Sequence, residues 1–170
     1  MRLTRRSVLA LLVTSIILTR ANAAPDTPPP VTVAVLAFDY TDTSGEVRDQ
    51  TRAHAEWTQR MATDLQSGLT ASGRYRGIGL DCAGKPCTPG AADLADLAAQ
   101  ARTAGAGVML FGTVEKQSTL ISWARVRAVD TGTGAVVFDK FLSFRGDDAA
   151  AWQHMEKFVL REFLAADIRP

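Results

Sequence analysis

The apolar positions of this chain fall into runs whose period changes from one segment to the next. Val31 to Phe38 (VTVAVLAF) is almost wholly apolar and β-branched, which predicts a strand covered on both faces, the first and central strand of a sheet. Residues 39 to 49 (DYTDTSGEVRD) turn polar and read as a loop, because Asp, Thr, Ser and Gly compete for backbone hydrogen bonds. Ala53, Trp57, Met61, Leu65 and Leu69 then recur on one stripe, predicting a helix over about 50–72 that Gly73 stops. A short second strand is expected over Arg74 to Leu80.

The second half changes character. Leu94, Leu97, Ala98 and Ala101 share a face of an Ala-rich helix over 91–104, and Val108 to Val114 (VMLFGTV) is another buried strand. Residues 120–129 and 135–144 are strand-like runs joined by an Asp/Gly turn, so they form an antiparallel hairpin. In its first arm Leu120, Val126 and Ala128 share one face while Arg125 and Arg127 share the other, so one face is wet. Gly146-Asp147-Asp148 offers an N-cap to a last helix over 149–166, with Trp152, Met155, Phe158, Val159 and Phe163 facing the core. The predicted order is β-α-β-α-β-β-β-α: an α/β (or α+β) domain with a mixed sheet of about five strands and a C-terminal helix, spanning residues 31–168 as a single unit.

The first thirty residues follow other rules. Arg2, Arg5 and Arg6 precede an apolar run from Val8 to Leu18, and Ala21-Asn22-Ala23 is a small-x-small cleavage site. A membrane-spanning helix needs about twenty apolar residues, so this run is a cleavable signal peptide over 1–23 and the address is the periplasm. Thr4-Arg5-Arg6-Ser7-Val8-Leu9 also resembles a twin-arginine export signal, the alternative being an ordinary secretory signal with two adjacent arginines. Residues 24–30 hold four prolines and read as an extended leader. No cysteine follows the apolar run to accept a lipid, and no transmembrane segment is expected in the mature chain.

Charge removes one class of function. Four of the nineteen basic residues (Arg2, Arg5, Arg6 and Arg20) and no acid precede residue 24, so the rest carries fifteen basic against eighteen acidic side chains, about −3. A mildly acidic body lacks the footprint of a nucleic-acid binder. Cys82 and Cys87, the only cysteines, flank Ala-Gly-Lys-Pro and read as a disulfide closing a small loop in an oxidising compartment. Redox dithiols usually use a two-residue spacer, and two thiolates without a His pair make a poor zinc site.

No catalytic, cofactor or metal motif emerges. The densest polar cluster is Asp39, Asp42, Thr43, Ser44 and Glu46, just beyond the first strand, where ligands of open α/β sheets bind; plain solvation and helix capping account for it, and if the domain has a site it is expected here, for a cation or a basic partner, rather than on the hairpin. His54 and His154 each begin a His-x-Glu triplet whose members diverge on a helix, and both read as solvated helix residues. Ser44 lacks the Gly-x-Ser-x-Gly elbow of a hydrolase, and Thr131-Gly-Thr-Gly134 lacks the Lys-Ser/Thr of a phosphate loop. Trp123 and Arg125, alternating with Arg127 on the hairpin, suit a contact surface or an uncovered sheet face.

The phrases VAVLAF, LTASGRY, AGAGVMLFG and VDTGTG, in this order, resemble the amino-terminal domain of TolB and the α/β domain of CsgG-type envelope proteins. Phe38-Asp39-x-x-Asp42-Thr43-Ser44, Leu80-Asp81-Cys82 and Phe144-Arg145-Gly146-Asp147 look like an uncharacterised family of exported proteobacterial proteins, a domain of unknown function. The resemblance implies the fold and names no activity, since neither a β-propeller nor a membrane-inserting hairpin is read here. It adds Arg145 to the candidate binding residues. The function expected is a non-enzymatic binding or accessory module of the cell envelope with an unidentified envelope or periplasmic protein partner. A sensor of a small molecule or cation and a small hydrolase are the alternatives.

Overall fold

The computed structural model describes residues 28–169. The expected signal peptide, residues 1–23, and residues 24–27 of the expected leader lie outside the described residues; Pro28, Pro29 and Pro30 are exposed and in no regular element. The elements are β1 (Val31–Val35), β2 (Asp39–Asp42), α1 (Thr51–Ala71), β3 (Tyr75–Ile78), α2 (Leu94–Thr103), β4 (Val108–Lys116), β5 (Ile121–Asp130), β6 (Val136–Arg145) and α3 (Ala149–Ala165). The sheet is mixed α/β as expected, with six strands rather than about five, in the order β3-β1-β4-β5-β6 and with β2 also paired to β4.

The added strand is the main correction to the sequence reading. Asp39–Asp42 is no loop: it pairs parallel with Thr113–Lys116, while β1 pairs with Val108–Leu110 of the same β4. β1 and β2 therefore lie end to end along one side of β4, and Leu36-Ala37-Phe38 is the step between them, so the first strand ends three residues early. Gly112 makes that step possible. A Cβ there would stand 2.4 Å from the Phe38 ring and 2.8 Å from the Arg125 carbonyl oxygen. The second correction is that β4, flanked on both sides, is the central strand, with β1 between β3 and β4.

Two layers of helix cover the sheet unequally. α1 and α3 pack on one face over Val33, Val35, Leu110, Val126 and Phe138. α2 packs on the other, through Leu97 and Ala101 over Ala34, Leu36, Met109 and Phe111. α2 begins at Leu94 rather than residue 91 because Asp93 caps it, its carboxylate accepting from the N–H groups of Ala95 and Asp96. Leu94 is consequently exposed instead of facing the core, and so is Leu120, which precedes β5 and does not share the buried face of Val126 and Ala128. Of the 146–148 segment, it is Asp148 that caps α3, accepting from Ala151 N–H.

The Cys82–Cys87 disulfide clips the loop between β3 and α2. Because α2 covers β1 and the near part of β4, the same face of β5 and β6 stays open to solvent.

Candidate functional site

Lys116, the last residue of β4, is the key to the site. It occupies a core-facing position of the strand, in phase with Val108, Leu110 and Val114, and it is fully buried. A buried ammonium costs several kcal/mol unless paired, and three segments supply the partners. Glu46 from the β2–α1 loop lies 2.5 Å from Nζ, Asp147 from the β6–α3 junction lies at 2.6 Å, and Gln50 Oε1 accepts at 2.7 Å. Asp42 stands further off, at 3.9 Å.

Burial works to lower the Lys116 pKa, but the hydrogen bonds and charges of Asp147 and Glu46 outweigh it and the net shift is upward. Asp147 mirrors this. Burial pushes its carboxyl up, while the hydrogen bonds from Lys116 and His54 overcome that and hold it below the ordinary range.

His54 completes the cluster and overturns its reading as a solvated residue. It is 2% exposed, and Nε2 lies 2.7 Å from Asp147 Oδ1. An ionised carboxylate only accepts, so Nε2 carries the proton and donates. The Tyr40 ring stacks on the imidazole at 4.3 Å and Trp57 meets it edge-on at 5.1 Å, with Trp152 behind. Burial, then the nearby charges of Asp42 and Asp147, push the Tyr40 hydroxyl's pKa well up, so it stays neutral. His154, by contrast, is exposed as expected.

The loop is built by its own side chains. Asp42 accepts from the N–H and the hydroxyl of Ser44 at 2.9 and 2.6 Å, and Ser44 Oγ accepts from Glu46 N–H at 3.2 Å. These bonds, led by that from the Ser44 hydroxyl, lower the Asp42 pKa. Thr43 ties the loop to β4, donating its N–H and hydroxyl to the Lys116 carbonyl at 2.9 and 3.1 Å. Gln50 is the N-cap residue of α1 but spends its side chain on Lys116; Asp49 accepts from Thr51 N–H in its place. Above the ion cluster is a cleft of about 650 Å³ bordered by Tyr40, Asp42, Glu46, Asp49 and His54.

Of the residues proposed from sequence, Asp42, Thr43, Ser44 and Glu46 come together here. Asp39 does not: it turns to the opposite side of the sheet and accepts from Gly90 N–H at 2.9 Å. Trp123, Arg125 and Arg145 lie on the exposed hairpin face. There Trp123 meets the Phe141 ring edge-on at 5.8 Å, and Arg125 makes a two-pronged pair with Asp139 at 3.0 and 2.7 Å. Sequence reasoning missed Lys116, Gln50, His54 and Asp147. One signal was present: a lysine in the core phase of an apolar strand requires a buried acid.

The chemistry open to the cluster is limited by how its atoms are committed. Glu46 and Asp147 are engaged by Lys116, and among the described residues no group of three or more His, Cys, Asp or Glu side chains is arranged to hold a metal ion. His54 and Asp147 have the geometry of a base and its orienting carboxylate, but the nearby serine and threonine hydroxyls are bonded elsewhere, while the buried Tyr40 hydroxyl has no hydrogen-bond partner. Ser44 donates to Asp42, Thr43 to the Lys116 carbonyl, and Thr58 to helix carbonyls. The arrangement fastens loop, strand and helix junction together around one cation.

Fold and site thus define a small α/β domain of the TolB amino-terminal kind with a buried ionic clasp at one end of its sheet. The chain belongs to the DUF3280 family, described as "Protein of unknown function (DUF2380)", which matches residues 31–164. No curated protein matches it in sequence. Among solved structures it is similar to the PelC dodecamer from Paraburkholderia phytofirmans, at 15% identity over 86% of this chain and 94% of that one, with a TM-score of 0.54. The hypothetical protein CT253 from Chlamydia trachomatis gives a TM-score of 0.54 at 14% identity, over 81% of this chain and 98% of that one. TolB from Acinetobacter baumannii gives 0.50 at 13% identity, over 82% of this chain and 28% of TolB. At such identities the likeness is one of fold.

Proposed function

We propose that the protein is an exported, periplasmic, non-enzymatic binding or accessory module of the cell envelope, and that it meets its protein partner through the open face of the β5–β6 hairpin. The observation that carries this reading is where the exposed large apolar side chains lie. Of the seven among the described residues, Leu120, Ile121, Trp123, Val136 and Phe141 belong to the hairpin or its approach, and Val47 and Leu94 do not. Clustering of that kind, interleaved with Arg125, Arg127 and Arg145, is what a contact surface requires and a merely solvated sheet does not. The description of PelC as a dodecamer is in keeping with a fold used for assembly.

The test is a periplasmic pull-down with the tagged chain and its Trp123→Ala and Phe141→Ala variants. A stoichiometric partner retained by the native chain and lost from both variants supports the reading. Retention by both variants moves the site elsewhere. The cleft beside Asp42, Glu46 and Asp49 favours a second reading, capture of a cation or of a partner's basic group by the loop. In that case Asp42→Asn abolishes binding and the hairpin variants do not.

A further inference from the structure

β6 ends the sheet. No strand pairs with its outer side among the described residues, and it runs ten residues without proline or glycine, its register irregularity confined to the turn end near Val129. Soluble proteins usually blunt so long an edge with prolines, bulges or a covering segment, since its unpaired N–H and C=O groups recruit another strand. The direction of those groups can be read from the ladder. Gly146 N–H donates inward to the Leu120 carbonyl, and antiparallel bonding alternates, so Phe144, Leu142, Lys140 and Phe138 bond to β5 while Arg145, Ser143, Phe141 and Asp139 direct theirs outward.

We propose that this edge is the seam of a homodimer, in which β6 of two copies pairs antiparallel about a two-fold axis at Leu142 and the two sheets become one. The side chains select a second copy and this register. With the axis at Leu142, the outward-bonding pairs are Phe141 with Ser143 of the other copy and Asp139 with Arg145 of the other copy, each formed twice by symmetry. Asp139, already held by Arg125, then sits between two guanidinium groups of opposite copies.

Moving the axis to Phe141 sets Asp139 against Ser143 and Arg145 against Val137, so neither charge meets its opposite. An axis at Lys140 opposes two like charges, so charge complementarity singles out Leu142. The same register brings the two Phe141 rings to diagonal positions, within reach of aromatic side chains. Phe141 is 65% exposed in the single chain. In the pair, Trp123, Phe141 and their symmetry mates form one aromatic row across the seam. An isologous contact of this kind closes after two copies.

This inference rests on the reading of the hairpin as the outward-facing surface, but self-association is measured on the purified protein with no partner present. A failed partner capture and a failed dimer are therefore separate results. The experiment is sedimentation equilibrium of the native protein, Ser143→Pro and Arg145→Glu over the micromolar range, with circular dichroism on each. Proline at 143 removes an outward N–H and leaves the bonds to β5 in place, a substitution that edge strands tolerate. The expected result is a dimer for the native chain, a monomer with unchanged spectrum for Ser143→Pro, and at least a tenfold weaker dimer for Arg145→Glu, which sets like charges against Asp139. If Ser143→Pro misfolds, Arg145→Glu, a change at an exposed side chain, decides alone. A native chain that stays monomeric throughout the range, or a dimer indifferent to a folded Ser143→Pro and to Arg145→Glu, overturns the proposal.

Discussion

The two polar regions of this domain, the clasp around Lys116 and the hairpin face around Trp123, use charge in opposite ways. In the clasp the closely paired charges are turned inward: Lys116 is fully buried, and Asp147 and Glu46 are mostly so, with Asp42 left at the rim. On the hairpin, Arg125 and Asp139 pair in the open, where an ion pair is worth little, and apolar rings stand beside them in water. A density of acids in the sequence is therefore no measure of what is offered to a partner. The acidic loop saturates itself by bringing its own cation from a distant strand, whereas the less conspicuous hairpin leaves its surface unsatisfied.

The comparison breaks most directly at Lys116. Lys116→Met leaves Asp147 buried without a cation and Glu46 with only the exposed Arg48, 3.6 Å away, and a loss of about 3–5 kcal/mol in denaturant unfolding is expected. Replacing Glu46 by Gln and Asp147 by Asn in the same chain should recover much of it; no recovery would mean that Lys116 acts by packing alone. In the native protein the lowered pKa of Asp147 means that the unfolded chain takes up its proton first as pH falls. The clasp's contribution is thus complete above the ordinary carboxylate range and is lost in acid, through the folded-state pKa. A stability profile flat from pH 5 down to 2 would contradict this.

The disulfide comes next in size. Cys82→Ala with Cys87→Ala opens a loop of about six residues and should cost about 2 kcal/mol while both regions stay intact. Glu156 on α3 gives a smaller, opposite pH effect. Burial, then the charge and hydrogen bond of Asp64 on α1, push its carboxyl up to about 7. The folded state therefore holds a proton that the unfolded chain releases at lower pH, and stability falls as pH rises from about 4.5 through 7. Glu156→Gln should remove that slope and add about 1 kcal/mol at pH 8, after allowance for solvent screening. The smallest effect belongs to the hairpin: Trp123→Ala and Arg125→Ala should change stability by about 0.5 kcal/mol or less, because neither side chain holds the core. A large loss would make this face structural.

How much of this was legible in the sequence follows the range of the interactions. Helices α1 and α3, the hairpin and its wet face are carried by local periodicity and were readable, as was the TolB-like fold. β2 was not, because DYTD pairs along one edge through its backbone and its side chains show no apolar alternation. His54 looked like a solvated residue because its partner Asp147 is ninety-three positions away. Lys116 was hidden in the same manner: its acids come from Glu46, before α1, and from Asp147, after β6.

The contrast itself is best tested by site-specific photo-crosslinking in intact cells, with the photoreactive residue placed at Phe141 on the hairpin or at Val47 on the loop. Both side chains are exposed and apolar, so reactivity toward water is matched and only the neighbourhood differs. The account predicts discrete protein adducts from position 141, including one with a second copy of the chain, and none from position 47. Adducts from position 47 with position 141 silent would contradict it, and would return the binding surface to the acidic loop.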